Sequence, residues 1–219
     1  MLPLNALNLV LTGSERRFIT KFDTPSRIQD FLDKLTYSAD KAYRCPLRVL
    51  RERTGHCFDG AVFAAAMLSL LGDPPLILEL LPNDRDDDHM LAVFKRNGYW
   101  GALASSNFAG LRFREPVYRN LRELAMSYFE QFYNVAREKT LRGYTRPLNL
   151  KAFDKHLWMT RDKPLNQIAH RLDHIARVTL LSEEMTNNLS LVDRRSYQAG
   201  LLGAKTTGLY RPGRNKRPL

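Results

Sequence analysis

The sequence predicts an α+β fold in which one buried helix packs on an antiparallel sheet, followed by a helical C-terminal extension. Residues 61–71 are apolar almost without interruption, as expected of a helix enclosed in the middle of a domain. Short apolar runs follow, and Asn97-Gly98 between two of them is a strong signal for a β-hairpin turn. Helical spacing of apolar residues then returns in the C-terminal third of the chain.

Two helices are predicted ahead of the buried one. Thr24-Pro25 begins the first, because threonine caps helices and proline suits the first helical position. A second, short helix is predicted over residues 46–53. The apolar residues 1–12 predict a first strand or a packing arm, since no basic residue precedes them and no clear cleavage site follows, as a signal peptide would require. In the helix that begins at Thr24-Pro25, apolar residues recur at helical spacing, at Ile28, Phe31, Leu32 and Leu35.

Gly72, followed closely by two prolines, is expected to end the buried helix. Three strands are predicted after it, over residues 76–81, 90–95 and 99–103. Two more amphipathic helices are predicted farther along, over residues 116–133 and 164–182.

Length and composition restrict the class of protein. The 219 residues suffice for one well-buried domain with an extension, and the 44% hydrophobic and 26% charged content is ordinary for a globular protein. No apolar stretch reaches the roughly 18 residues of a membrane span, so no membrane association is expected. Only Cys45 and Cys57 could form a disulfide, which favours reduced thiols and a cytoplasmic location.

Basic and acidic residues are distributed unevenly along the chain. Residues 1–145 hold 20 basic and 17 acidic side chains, whereas residues 146–219 hold 14 and 6. We predict a core domain over 1–145, a helical extension packed on it over 146–204, and a flexible basic tail over 205–219. The tail could contact nucleic acid or another polyanion, although a solvated terminus is the favoured explanation of its composition.

The sequence places Cys57 where a loop meets the buried helix, and His89 where an acidic loop meets a strand. Backbone N–H groups at a helix N-terminus stabilise a thiolate and can hold an oxyanion. A thiol nucleophile also needs a base, which His89 supplies if its strand packs beside the helix N-terminus. The alternatives are a buried structural thiol at Cys57 and a surface histidine at His89.

The arrangement resembles the transglutaminase-like superfamily. The resemblance lies in Gly55-x-Cys57 opening an alanine-rich helix that ends at Gly72, the acidic loop into His89, and the return strand with Trp100. It implies a papain-like fold, with Cys57 as nucleophile and His89 as base, and no cofactor.

The resemblance covers about residues 24–110 and breaks at one place. The family pattern usually has an aspartate four residues after the strand tryptophan, where it orients the histidine, and this chain has Ala104. Asn107 is the best replacement, because an amide oxygen can accept a hydrogen bond from an imidazole, and Ser105 and Ser106 are weaker choices.

Three functions are therefore considered. The first is a cysteine-dependent hydrolase or acyl transferase that acts on an amide, peptide or ester bond of a protein, a peptide or a small amide. The second is a catalytically impaired binding module with the same fold. The third is a nucleic-acid-associated protein that uses the basic C-terminal region. The sequence says nothing of the oligomeric state.

Other polar residues are given structural roles. His56 is a poor alternative base, because adjacent residues at a helix start point in different directions. Cys45 is expected in the core. His170 and His174 should share a helix face, but they lack the glutamate of a zinc-enzyme motif, and no zinc site is predicted. The acidic run of residues 83–88 has no EF-hand spacing and is interpreted as a solvated turn.

Overall fold

The computed structural model describes residues 3–211. Within them lie nine α-helices, with the following bounds: α1 Pro3–Val10, α2 Gly13–Ile19, α3 Pro25–Leu32, α4 Pro46–Glu52, α5 Cys57–Leu70, α6 Leu121–Met126, α7 Lys163–Asp173, α8 Glu183–Asn187 and α9 Arg194–Gly200. Short 3₁₀ turns are found at Phe129–Gln131, Leu150–His156 and Thr206–Gly208. No helix in the described part of the chain is both long and apolar enough to cross a membrane.

Nine strands lie in the same residues. Their bounds are β1 Thr36–Tyr37, β2 Thr54–Gly55, β3 Leu76–Pro82, β4 His89–Arg96, β5 Tyr99–Leu103, β6 Arg114–Tyr118, β7 Leu141–Thr145, β8 Leu148–Asn149 and β9 Arg177–Thr179. The main sheet has the order β6-β5-β4-β3-β7-β9, and β8 also pairs with β3. All its pairings are antiparallel, whereas β1 and β2 form a separate parallel pair.

The α+β prediction is confirmed, and so are the local signals behind it. The side chain of Thr24 accepts a hydrogen bond from the backbone N–H of Arg27, which caps α3. Asn97 and Gly98 both have positive φ, 52° and 85°, as a tight hairpin turn between β4 and β5 requires. Gly72 has φ 89° just beyond α5.

The sheet is covered on both faces. Met90, Ala92 and Phe94 of β4 belong to one apolar cluster with α5, while Leu91 and Val93 belong to a second cluster on the other face. Side chains alternate along a strand, so β4 is buried on both sides. The second cluster includes Leu111, just before β6, and four residues that follow β6: Leu124, Ala125, Tyr128 and Phe132.

Two predictions about elements were wrong, and the N-terminal one held only in its alternative of a packing arm. The N-terminal segment is a helix, α1, rather than a strand, although it does pack on the body through Ala6 and Leu7. Residues 116–133 are not one helix: β6 occupies the start, and Asn120 caps the short α6 by accepting from the N–H of Glu123. Residues 164–182 divide into α7 and β9.

Both divided segments have apolar residues at helical spacing, which explains the two errors. In the first, Pro116 lies in β6, a strand at the edge of the sheet, where a missing N–H costs no ladder bond. In the second, the helix ends at Asp173, and β9 then pairs with β7 through Val178 opposite Tyr144. Tertiary pairing overrode local periodicity in each case.

The C-terminal region is closely joined to the core. Its helices α7, α8 and α9 are accompanied by β8 and β9, which pair with β3 and β7 of the core sheet. Residues 205–208, which the composition assigned to a flexible tail, form a turn against the body. The rest of that prediction, from residue 212 onward, lies outside the described residues, and the domain division stays a prediction.

Candidate active site around Cys57

Cys57 is the first residue of α5 and is partly exposed. The loop that delivers it is held by β2, whose Gly55 pairs with Tyr37 of β1. A side chain at Gly55 would bring its Cβ within 3.0 Å of the Cβ of Asp59, so glycine allows the close turn before the helix. The first N–H groups of a helix have no partner within it, and α5 presents them beside the thiol.

Tyr37 lies against this end of the helix. Its hydroxyl lies close enough to the backbone N–H and the thiol of Cys57 for both to affect its pKa. Burial raises the pKa of Tyr37 well above its usual value, and the charges of Cys57 and Asp87 act in the same direction. Tyr37 therefore carries its proton at neutral pH and places a neutral hydroxyl beside the sulfur.

Asp59 is fully buried in the first turn of α5. Its carboxylate accepts hydrogen bonds from the backbone N–H of Arg44, at 2.8 Å, and of His56, at 3.3 Å. Burial raises the pKa of Asp59 to about 7, against the lowering effect of these hydrogen bonds and of the Arg44 guanidinium at 3.6 Å. Asp59 thus ties the segment around Arg44 and the loop before Cys57 to the helix.

His89 begins β4 and is only 4% exposed. Its Nε2 lies 2.8 Å from the carbonyl oxygen of Leu111. A carbonyl can only accept, so Nε2 carries the proton and Nδ1 of the neutral ring carries a lone pair. Burial lowers the pKa of His89 to about 4, opposed by the hydrogen bond to Leu111, and the ring is therefore neutral at pH 7.

His89 and Cys57 approach the sheet from different sides. His89 alternates with Leu91 and Val93, which belong to the second apolar cluster, whereas Cys57 packs against the first. No face of the sheet therefore carries both side chains. The helix N-terminus does lie close to the end of β5, because a Cβ on Gly60 would fall 2.5 Å from the Cβ of Ser105.

The orienting residue differs from the prediction. Asn107 does not contact His89: its amide donates to the carbonyl of Lys205 and its oxygen accepts from the N–H of Lys205, both at 2.7 Å. Ala104, at the position where the family has aspartate, is fully buried in the second cluster, on the face that His89 shares. The hydrogen-bond partner of the His89 Nε2 is the Leu111 carbonyl and not the side chain of Asn107.

The backbone of Ala104 is itself fixed by a distant side chain. Gln29 of α3 donates to the Ala104 carbonyl at 2.9 Å and accepts from its N–H at 3.1 Å. This pair of buried bonds ends the β5 ladder and connects it to α3.

The residues given structural roles are mostly placed as expected. Cys45 is buried, and burial raises the pKa of its thiol to about 12. The rings of His170, in α7, and His174, just beyond its end, lie 4.5 Å apart. The acidic run is only partly solvated, because Asp86 accepts a hydrogen bond from the Thr140 hydroxyl, and burial raises the pKa of its carboxyl to about 6.

Sequence reasoning missed Tyr37 and the Leu111 carbonyl. Tyr37 lies in a polar stretch with no motif, and only the parallel pairing of β1 with β2 brings it to Cys57. A backbone carbonyl carries no residue-type signal at all. In residues 5–211, no group of three or more histidine, cysteine or acidic side chains is arranged to hold a metal ion.

The low pKa of His89 makes a testable contribution to stability. The unfolded chain binds a proton on this ring near pH 6.5, whereas the folded chain binds it only near pH 4, so folding stability is lost as pH falls between these values. The shift corresponds to about 3 kcal/mol in the free energy of unfolding. We expect the difference in unfolding free energy between wild type and His89→Gln to shrink by about that amount from pH 7 to pH 4.

Glutamine can keep the donor toward Leu111 but does not titrate. The raised pKa of Asp59 has the opposite effect on stability over the same pH range. Both proteins contain Asp59, so its contribution cancels when their unfolding free energies are subtracted. Urea unfolding at each pH supplies the free energies. A difference that stays constant with pH would show that His89 is not buried as a neutral ring.

Comparisons with known proteins find only weak structural likenesses. No family model matches the sequence, and no curated protein matches it. Among solved structures, Legionella pneumophila LapG is similar over 75% of this chain and 95% of its own, with 14% identity and a TM-score of 0.41. EGTA-treated Legionella pneumophila LapG matches 71% and 94%, with 13% identity and a TM-score of 0.40. Likenesses of this extent carry no argument about activity, and the resemblance to transglutaminase-like proteins rests on the residues of this chain.

Proposed function

We propose that this chain is a cysteine-dependent hydrolase or acyl transferase that acts on amide or ester bonds, with Cys57 as its nucleophile. The observation that carries the proposal is the partly exposed thiol on the first residue of the 14-residue helix α5, beside the Tyr37 hydroxyl. The backbone N–H groups there favour negative charge on the sulfur and on an oxyanion.

In the proposed reaction the Cys57 sulfur attacks a carbonyl carbon, and the thiol proton is relayed by water to Nδ1 of His89, which lies on the other side of the sheet. The tetrahedral oxyanion is held by the N–H groups at the start of α5. As it collapses, the bond to the leaving amine or alcohol breaks, and that group takes the proton from His89. The resulting thioester is cleaved by water or by an acceptor amine, which regenerates the thiol.

Support for His89 as the base comes from its tautomer. The hydrogen bond from Nε2 to the Leu111 carbonyl leaves Nδ1 as the proton acceptor and orients the ring. In a catalytic triad an acidic side chain has this role. Because the two side chains approach the sheet from different sides, proton transfer between them requires a relay.

The test is turnover of an acyl group on Cys57. The protein is incubated with p-nitrophenyl esters and peptide p-nitroanilides, and mass spectrometry then locates the acyl group. We expect one acyl group on Cys57, none on the buried Cys45, and release of the group within the assay. An adduct that forms and is never released would contradict catalysis, as would equal acylation of the Cys57→Ala protein.

A catalytically impaired binding module is the second candidate. It is favoured by the alternation of β4, which turns His89 toward the second apolar cluster, and by Ala104 at the orienting position. In that case Cys57 is acylated by an activated ester without turnover, and His89→Gln leaves the acylation rate unchanged.

A further inference from the structure

The turn at residues 205–208 makes contacts typical of a bound peptide. The side-chain amide of Asn107 bonds both the N–H and the C=O of Lys205, each at 2.7 Å. These two bonds recognise main chain, as a neighbouring β-strand does, and they do not depend on which side chain the bound residue carries. Asn107 is 6% exposed and Lys205 is exposed, so both bonds are partly shielded from water.

The same turn rests on the residue that contacts the thiol. The Lys205 ammonium donates to the Tyr37 carbonyl at 3.3 Å. Gly208 passes so near that a Cβ on it would lie 3.0 Å from the Tyr37 ring and 3.2 Å from the Asn107 amide nitrogen. The Tyr37 hydroxyl lies near the Cys57 thiol, so the Tyr37 side chain stands between the turn and the sulfur.

The segment before the turn is anchored to the body. Gly200, at the end of α9, accepts a hydrogen bond from the N–H of Ala109 at 2.9 Å, and the Tyr197 hydroxyl donates to the Val135 carbonyl at 3.3 Å. The turn at 205–208 is thus delivered to Asn107 by a fixed stem.

We propose that Tyr37 and Asn107 form a subsite for the main chain of a polypeptide substrate, and that residues 205–208 of this chain occupy it as an internal competitor. The assignment of the occupant as substrate rests on the proposed function, whereas the subsite itself rests on the contacts. A polypeptide that enters must displace the turn, and its main chain then lies beside Cys57.

The test uses the full-length protein and a fluorescent synthetic peptide with the sequence of residues 201–211. Gly208→Val disfavours the docked turn, because its side chain meets the Tyr37 ring. We expect this variant to bind the peptide at least tenfold more tightly than wild type, and the added change Asn107→Ala to remove the binding. Leu202→Ala is the matched control, since Leu202 is 80% exposed in the same segment, and it should bind as wild type does.

Equal peptide affinity of wild type and Gly208→Val would overturn the proposal, and so would binding that survives Asn107→Ala. A second measurement uses the wild-type protein, so it tests the proposal even if a variant fails to fold. In the wild-type protein, excess peptide should speed hydrogen exchange at the Lys205 amide, which loses its bond to Asn107, while a scrambled peptide should not. Unchanged exchange at that amide would equally overturn the proposal.

The outcomes also separate this proposal from the proposed function. Peptide binding in Gly208→Val without turnover of any acyl substrate would contradict the proposed enzymatic activity and support the subsite. Turnover on Cys57 without peptide binding would contradict the subsite and support the proposed enzymatic activity.

Discussion

Replacing Cys57 with alanine should lower kcat/KM for any acyl substrate of this protein by on the order of 10⁴-fold or more, because it removes the atom that forms the covalent intermediate. Replacing His89 with glutamine should cost on the order of 10²- to 10⁴-fold, since general base catalysis is lost while the thiol and the N–H groups of α5 remain. Initial rates on the best ester or anilide found would measure both.

Cys45 provides the control. Its thiol is buried and, by our assignment, takes no part in the reaction, so Cys45→Ala should keep kcat/KM within about twofold once matched for folded protein. Activity that survives Cys57→Ala, or that disappears equally in Cys45→Ala, would contradict a nucleophilic role for Cys57.

Asp59→Ala should lower the free energy of unfolding by about 3–5 kcal/mol. Asp59 is completely buried and accepts from the backbone N–H groups of Arg44 and His56, which would lose their acceptor. The Arg44 side chain, only 7% exposed, would lose one of its carboxylate partners. Because the thiol loop is tied to α5 through Asp59, the reactivity of Cys57 should change together with stability.

Chemical denaturation with a common slope would give the value for Asp59→Ala. Asp30→Ala, at an exposed position of α3, is the matched loss of one carboxylate and should change stability by no more than about 0.5 kcal/mol. A loss below about 1 kcal/mol for Asp59→Ala would contradict a structural role for the buried carboxylate.

The core of the fold was predictable because its signals are local. The capping Thr24-Pro25, the apolar run of α5 and the Asn97-Gly98 turn each specify their own conformation. The position of Cys57 at a helix N-terminus follows from the same signals.

What could not be predicted depends on distant contacts. Asn107 was assigned to His89 by sequence distance, yet its partner is Lys205, almost a hundred residues away. The partner of His89 is a backbone carbonyl, at Leu111, and no residue type announces it. The 116–133 segment contains helical spacing, but pairing of β6 with β5 decides its conformation.

The two edges of the main sheet are poor templates for another strand. At one edge β6 has Pro116, which lacks an N–H, between the exposed residues Glu115 and Val117. At the other edge β9 has only three residues and begins with an exposed arginine, Arg177. A foreign strand would find few donors and a desolvation penalty at either side. Self-association of this protein by edge-to-edge pairing is therefore disfavoured, even though most residues of its interior strands are apolar.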